Sequence, residues 1–126
     1  MSRILIIEDN DDARRFMSLA LQGEGYDVAV AEDGEAGLQI QRHAPAEVLI
    51  TDIFMPNKDG IETIIDFRQK FPTVKIIAMS GGRGTGNVDY LDTAREIGAD
   101  ECLSKPFGLH ELLTAVQGVI AKAKQP

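Results

Sequence analysis

The sequence is short of the residues that mark several classes of protein. Cys102 is the only cysteine in 126 residues, so no disulfide can form within the chain and nothing indicates an oxidising compartment. No stretch approaches the roughly 20 apolar residues that span a bilayer. The apolar run at residues 4–7 is too short for a secretory signal and is followed at once by acidic residues. We therefore expect a cytoplasmic protein without membrane insertion.

Basic residues are also scarce. Lysine and arginine number 13 against 20 acidic residues, which gives a net charge of -7 and an isoelectric point near 4.7. This balance repels nucleic acid and anionic lipid, so we expect no direct binding to nucleic acid. With 126 residues and no repeat, linker or low-complexity segment, the chain fits one domain over residues 1–126, and we expect no effector domain in it.

Several apolar, β-branched runs in the chain have the length of strands. They are continuous rather than alternating, as strands buried on both faces of a parallel sheet require. Segments with helical spacing separate them, and the first of these has Asn10 or Asp11 as its cap and ends at Gly23 and Gly25. The pattern predicts five βα units in a doubly wound α/β sheet. The predicted strands are 4–7, 28–30, 48–50, 76–79 and a weaker 101–103, and the later predicted helices are 36–43, 61–71, 88–97 and 109–123.

Polar residues follow the predicted strands at the point where each strand ends. Glu8 and Asp9 follow the first strand, Asp52 the third, Ser80 the fourth and Lys105 the fifth. The carboxyl ends of parallel strands share one edge of the sheet, where ligands bind in open α/β folds. Three carboxylates, a hydroxyl and an ammonium gathered there predict a metal-dependent phosphate site.

The acidic loop after the first strand favours a cation over a nucleotide. It has no glycine-rich turn to supply backbone donors for a flavin or dinucleotide phosphate. Two carboxylates about 4 Å apart repel by about 4 kcal/mol at an effective dielectric near 20, so adding Asp52 to Glu8 and Asp9 favours a divalent ion among them. Mg²⁺ suits a few carboxylate and carbonyl oxygens with several retained waters.

Each of these residues also has a plainer interpretation when it is taken alone. Glu8 and Asp9 could form a solvated acidic turn that caps a helix, and Asp52 could be a turn aspartate. Ser80 could belong to an ordinary turn before glycines, and Lys105 could be a solvated surface lysine. The combination favours a site over these separate interpretations.

The spacing of these residues closely resembles the receiver domain of bacterial two-component response regulators. The matching positions are Glu8-Asp9, Asp52, Met55-Pro56, Asp59-Gly60, Ser80-Gly81 and Lys105-Pro106. The resemblance covers the whole chain and implies a flavodoxin-like sheet with strand order 2-1-3-4-5.

The resemblance also implies a role for each site residue. Asp52 would be the nucleophile that accepts a phosphoryl group. Mg²⁺ would be bound by the side chains of Asp9 and Asp52 and the backbone carbonyl of Phe54, with Glu8 acting directly or through water. Ser80 would donate to the phosphoryl oxygen, and the ammonium of Lys105, before a cis bond to Pro106, would pair with it.

The partners follow from the same resemblance. A sensor histidine kinase or a histidine phosphotransfer protein would supply the phosphoryl group, and a downstream effector protein would bind the altered surface in trans. Such a domain catalyses only its own phosphorylation and dephosphorylation and is not an enzyme that turns over a metabolite.

The chain departs from the family pattern at two places. Cys102 stands where the family usually has Tyr or Phe, three positions before its lysine. The segment 81–86 is rich in glycine and makes the connection after the fourth strand long. We hypothesise that this loop folds over phosphorylated Asp52 and supplies the conformational signal.

Two other functions compete with phosphorylation-dependent signalling. One is an interaction module that works without phosphorylation. Cys102 in place of the usual aromatic residue favours this function, and the complete set of phosphoryl-accepting site residues disfavours it. The other is a small magnesium phosphatase with an aspartyl intermediate. That class would have its nucleophile after the first strand in an Asp-x-Asp pattern, whereas Glu8 and Asp9 are adjacent.

Overall fold

The computed structural model describes residues 2–54, 60–81 and 90–123. In this part of the chain five strands alternate with five helices. None of the described helices is both long and apolar enough to cross a bilayer. The elements are β1 (Arg3–Ile7), α1 (Asp11–Gly23), β2 (Asp27–Ala31), α2 (Gly34–His43), β3 (Val48–Asp52), α3 (Gly60–Lys70), β4 (Lys75–Gly81), α4 (Tyr90–Ile97), β5 (Glu101–Lys105) and α5 (Leu109–Ala123).

The strands form one parallel sheet in the order β2-β1-β3-β4-β5. This confirms the predicted α/β architecture and the strand order that the family resemblance implies. In register, Ile7 lies opposite Thr51, Asp52 opposite Met79, and Gly81 opposite Lys105. The ends of β1, β3 and β5 therefore share one edge of the sheet.

Successive residues of each strand face two separate apolar clusters, because side chains alternate across a sheet. Ile4 and Ile6 of β1 belong to the front cluster, which packs against α1 and α5. Leu5 and Ile7 belong to the back cluster, which packs against α2, α3 and α4. The sheet is thus buried on both faces, which explains why its strands are continuous apolar runs.

The helix ends largely follow the sequence signals. Asn10, not Asp11, caps α1, and its side chain accepts from the Ala13 amide at 2.8 Å. Gly25, just past α1, has a φ of 92°, a conformation that glycine adopts without steric strain. Helix α2 begins at Gly34, two residues before the predicted start, because Asp33 provides its cap. Position 88, the predicted start of α4, lies outside the described residues.

Gln41 is a buried polar residue that the sequence patterns did not indicate. Its side chain is 1% exposed and binds both backbone groups of Ala46. Gln41 Nε2 donates to the Ala46 carbonyl at 3.1 Å, and the Ala46 amide donates to Gln41 Oε1 at 2.9 Å. These bonds satisfy buried peptide groups in the connection from α2 to β3 and so fix the path of the chain into the central strand.

Candidate functional site

Lys105 connects the ends of three strands. Its Nζ donates to Glu8 Oε1 and to Asp52 Oδ2, each at 2.6 Å. Each of these three residues lies two positions beyond a strand residue of the front cluster, so their side chains share one face of the sheet. The lysine side chain is long enough to reach past β4 to both carboxylates. The structure therefore brings together residues separated by up to 97 positions in the chain.

Three carboxylates gather beside this ammonium. Glu8, Asp9 and Asp52 each offer an oxygen atom, and these atoms lie within 4.8 Å of one another. Glu8 is 1% exposed and Asp52 is 5% exposed, whereas Asp9 is exposed to solvent. Glu8 and Asp52 are thus buried charged groups, not the solvated turn residues that each could be when taken alone.

Burial and pairing shift the pKa values of this cluster in identifiable ways. The pKa of Glu8 is raised because burial disfavours its charged form by more than the hydrogen bonds from Lys105 and the Asn10 amide favour it, and repulsion by Asp52 adds a smaller effect in the same direction. Burial by itself would lower the pKa of Lys105. Its hydrogen bonds to Asp52 and Glu8 outweigh that effect, so the Lys105 pKa is raised and the ammonium stays charged at neutral pH.

Backbone groups hold the two buried carboxylates in place. The Asn10 amide donates to Glu8 Oε2 at 3.1 Å, so both oxygens of Glu8 have partners. The Phe54 amide donates to Asp52 Oδ1 at 3.2 Å, and the Thr51 hydroxyl donates to the Asp52 carbonyl at 3.0 Å. Each carboxylate oxygen can still accept a further ligand, because it offers more than one lone pair.

Gly60 packs directly against the backbone of Asp52. A Cβ atom at Gly60 would lie 2.1 Å from the Asp52 carbonyl oxygen and 2.5 Å from Ile53 Cα. The Gly60 amide also donates to the Ile53 carbonyl at 2.8 Å, which ties the start of α3 to the end of β3. Only glycine fits this close approach, so Gly60 sets the backbone position from which the Asp52 side chain extends.

We expect Gly60→Ala to destabilise the fold by about 1 to 3 kcal/mol, because its Cβ must displace backbone atoms of β3. Gly118→Ala is the matched control. A Cβ at Gly118 meets no atom within 4 Å, so alanine in the interior of α5 should stabilise the protein by about 0.5 to 1 kcal/mol. Urea unfolding followed by circular dichroism measures both. Equal effects of the two substitutions would contradict the close approach at Gly60.

The carboxylates lie in an open cleft of about 1070 Å³. The described residues that line it include Glu8, Asp9, Asp52 and Lys105, and apolar walls surround them. These walls include the side chains of Phe16, Phe54 and Phe107. A buried charged cluster at the base of an open cleft can receive a small charged group from another molecule.

Ser80 does not line the cleft among the described residues. Its hydroxyl donates to the carbonyl of Gly81 at 3.2 Å. Ser80 lies two positions beyond Ala78 of the back cluster, so strand alternation directs it to the opposite face from Asp52. Its predicted contact with a phosphoryl oxygen stays a prediction.

The remaining predictions concern the Lys105-Pro106 bond, Cys102 and two short segments of the chain. The Lys105-Pro106 peptide bond is cis. The Cys102 thiol contacts the Leu91 carbonyl oxygen at 3.7 Å and lies half-buried on the α4 side of β5. Met55-Pro56 and the glycine-rich positions 82–86 lie outside the described residues.

The donor set fits a divalent cation of the magnesium type. Its three carboxylates face one ammonium, which leaves two negative charges at the site. Oxygen ligands with excess negative charge, two of them held by hydrogen bonds, are what hard cations prefer in proteins. Phe54 lines the same cleft, and the role of its backbone carbonyl as a further oxygen ligand stays a prediction.

Comparison with known proteins decides the family. The model of the response regulator receiver domain matches residues 4–117. The chain belongs to this family. This confirms the resemblance found in the sequence, and it places this receiver domain among proteins of two-component signalling.

Two relatives show different lengths. The receiver domain is 33% identical to the response regulator receiver protein CpdR of Brucella abortus, over 98% of this chain and 100% of CpdR. It is 36% identical to the response regulator ArlR of Staphylococcus epidermidis, over 97% of this chain and 54% of ArlR. The chain thus spans about half the length of the first curated relatives that it matches.

Solved structures show the same fold. A response regulator receiver domain protein from Clostridium thermocellum superposes with a TM-score of 0.89 at 27% identity and covers 98% of both chains. The chemotaxis protein CheY4 of Vibrio cholerae superposes with a TM-score of 0.85 at 28% identity, over 94% of this receiver domain and 98% of CheY4.

Arg14 contacts the acidic loop of this receiver domain, a contact that sequence reasoning missed. Its Nη1 donates to the Glu8 backbone carbonyl at 2.8 Å, and its Nη2 pairs with Asp11. The only sequence feature that could have indicated this contact is the position of Arg14, which lies one helical turn after Asn10 and follows an acidic segment. That signal is weak, because a basic residue near the start of a helix is usually solvated.

Proposed function

We propose that this domain carries a phosphoryl group on Asp52 in a phosphorelay. The donor is the phosphohistidine of a sensor histidine kinase or a histidine phosphotransfer protein, and Mg²⁺ is the cofactor. The phosphorylated surface then binds a downstream effector protein in trans. One observation carries this proposal: Lys105 bridges Glu8 and Asp52 at 2.6 Å beside a third carboxylate, at the base of an open cleft.

The reaction needs little covalent chemistry from the protein. One carboxylate oxygen of Asp52 forms the bond to phosphorus while the bond between phosphorus and the donor imidazole breaks, and that imidazole takes a proton from solvent. No separate general base is needed when a carboxylate attacks, since it has no proton to give up. Positioning and neutralisation of charge are the main requirements of phosphoryl transfer.

The residues of the cleft supply both requirements. Glu8, Asp9 and Asp52 with the Phe54 carbonyl would hold Mg²⁺, which when bound neutralises the oxygens of the transferred group. The Lys105 ammonium already lies 2.6 Å from Asp52, so it can pair with an added phosphoryl oxygen with little movement.

Phosphorylation would disturb the existing ion pairs. It adds roughly one negative charge beside Asp52, which draws Lys105 from Glu8 and draws the Ser80 hydroxyl from the Gly81 carbonyl. Two charge-assisted contacts of about 1.5 to 3 kcal/mol each approach the ~5.5 kcal/mol that inverts a 1:99 population. The new contacts at β4 and β5 are therefore large enough to change the surface that a partner recognises.

Mass spectrometry of the native protein tests the proposal. Incubation with Mg²⁺ and a small acyl-phosphate donor should add one phosphoryl group, and hydroxylamine should remove it because an acyl phosphate is labile to that nucleophile. Omission of Mg²⁺ should prevent the addition. An unchanged mass with Mg²⁺ present would contradict the proposed function.

An interaction module that works without phosphorylation is the second candidate. It is favoured by Cys102, since a small half-buried thiol provides no aromatic ring to rotate at that position. The two functions differ in one measurement, the affinity for the downstream partner with and without the phosphoryl group. Both functions fit a domain that acts in the cytoplasm with protein partners, makes no direct contact with nucleic acid and turns over no metabolite.

A further inference from the structure

We propose that Arg14 is a positioning residue for the metal site. Its guanidinium holds the peptide group between Glu8 and Asp9, and so directs the Asp9 carboxylate towards the other two. This inference rests on the proposed function, because it concerns the Mg²⁺ that Asp52 phosphorylation requires.

The contacts of Arg14 join the acidic loop to the first helix. Nη1 donates to the Glu8 carbonyl at 2.8 Å and Nη2 pairs with Asp11. The Arg14 amide donates to the Asn10 carbonyl at 2.9 Å, within the first turn of α1. The planar guanidinium donates in two directions at fixed geometry, which a lysine ammonium cannot reproduce.

Burial shows that this is not a loose surface contact. The Arg14 side chain is 19% exposed, whereas the neighbouring Arg15 is exposed. A guanidinium taken out of solvent to this extent has little freedom to choose other partners. Its bond to the Glu8 carbonyl is therefore a lasting part of the loop.

Asp9 is the carboxylate that needs this support. The Glu8 side chain is already held on both oxygens by Lys105 and the Asn10 amide. Asp9 is exposed and lies beyond the end of β1, so the sheet does not fix its direction. The Glu8 carbonyl belongs to the peptide that leads into Asp9. A fixed carbonyl orientation fixes the direction in which the Asp9 side chain leaves the backbone.

A purely electrostatic role and a positioning role of Arg14 predict opposite changes in Mg²⁺ affinity when Arg14 is removed. Arg14 is a positive charge beside a site for a positive ion, so its removal should tighten Mg²⁺ binding if it acted only as a charge. If it acts by holding the Glu8–Asp9 peptide, its removal should weaken binding. The sign of the change in affinity therefore separates the two roles.

The experiment is a calorimetric Mg²⁺ titration of the full chain, without any phosphoryl donor. Arg14→Met removes the positive charge and both guanidinium contacts. Arg15→Met removes one positive charge from the adjacent, exposed position. Arg14→Lys keeps the charge but replaces the planar guanidinium with a single ammonium group. Thermal unfolding without Mg²⁺ is recorded for all variants, because a merely structural role would lower the midpoint and leave the dissociation constant unchanged.

We expect Arg14→Met to raise the Mg²⁺ dissociation constant by roughly 10-fold to 100-fold, the usual effect of removing a group that orients a metal ligand. Arg15→Met should not raise it, and Arg14→Lys should raise it by less than Arg14→Met. Unchanged or tighter binding by Arg14→Met, or equal shifts at the two arginines, would overturn the inference.

Two further outcomes are also decisive. If Arg14→Met does not fold, Arg14→Lys decides: weaker binding than native supports positioning, and native affinity overturns it. If the native protein itself binds no Mg²⁺, the proposed function fails with the inference. Failure of the inference alone is seen as native binding with no loss in the Arg14 variants.

Discussion

Asp52→Asn protein should gain no phosphoryl group under conditions in which the native protein is labelled to completion. The amide has no anionic oxygen to attack phosphorus, yet it keeps the size of the side chain, and its one oxygen can still accept from Lys105 or from the Phe54 amide, which donate to different oxygens of Asp52. Loss of labelling would therefore reflect lost chemistry and not a collapsed site. Intact mass spectrometry after reaction with Mg²⁺ and the acyl-phosphate donor measures the result.

Asp12→Asn is the matched control for this substitution. Asp12 is an exposed aspartate in the first turn of α1, outside the three-carboxylate cluster. It removes the same charge from the same end of the molecule and should leave labelling close to native. Hydroxylamine-labile label that persists in Asp52→Asn would show that another carboxylate is the acceptor.

Lys105→Met should destabilise the fold by about 3 to 5 kcal/mol at neutral pH, the usual result of removing one partner from a buried ion pair. Methionine keeps the apolar stem but leaves the buried carboxylates of Glu8 and Asp52 without their shared cation. Urea unfolding measures the loss. Lys70→Met is the control, because Lys70 is exposed at the end of α3 and its removal should change stability by no more than about 0.5 kcal/mol.

The loss should shrink as the pH falls. The pKa of Glu8 is raised above the usual value for a glutamate. The charged form of Glu8 therefore lowers the stability of the fold at a pH above this raised pKa, and the loss is relieved as the pH falls through it. Without Lys105 the Glu8 pKa rises further, and the variant gains this relief at a higher pH than the native protein. On the alkaline side, the raised pKa of Lys105 keeps its ammonium paired at neutral pH, and this pairing is lost as the pH rises through that raised pKa.

Mg²⁺ provides a second check on Lys105→Met. A divalent ion among the carboxylates replaces the missing positive charge, so it should stabilise the variant by more than it stabilises the native protein. A stability difference between native and variant that is independent of both pH and Mg²⁺ would show that Lys105 acts through packing instead of charge.

Local sequence signals were sufficient for the α/β architecture, although not for the order of the strands. A strand buried on both faces must be a continuous apolar run, and β1, β3 and β4 have such runs. The segments between these strands have helical spacing. A parallel sheet covered by helices is the arrangement that buries every apolar face. The same reasoning placed the polar residues that follow these strands at one edge, because parallel strands end on the same side.

Contacts between distant segments were beyond those signals. The ion pairs of Lys105 with Glu8 and Asp52 depend on the strand order and on a side chain long enough to extend past β4. The residues near Lys105 in the sequence indicate neither of these. The close approach of Gly60 to Asp52 and the Gln41 bonds to Ala46 depend on backbone packing within tenths of an ångström.

The sequence by itself determined the architecture and the edge at which the chemistry lies, because continuous apolar runs of strand length and strand polarity are local properties. The tertiary structure decided which polar side chains actually meet there. Glu8, Asp52 and Lys105 meet through two ion pairs, while the Ser80 hydroxyl donates to the Gly81 carbonyl. Arg14 donates to the Glu8 backbone carbonyl, and such a contact depends on the position of the loop and not on residue type.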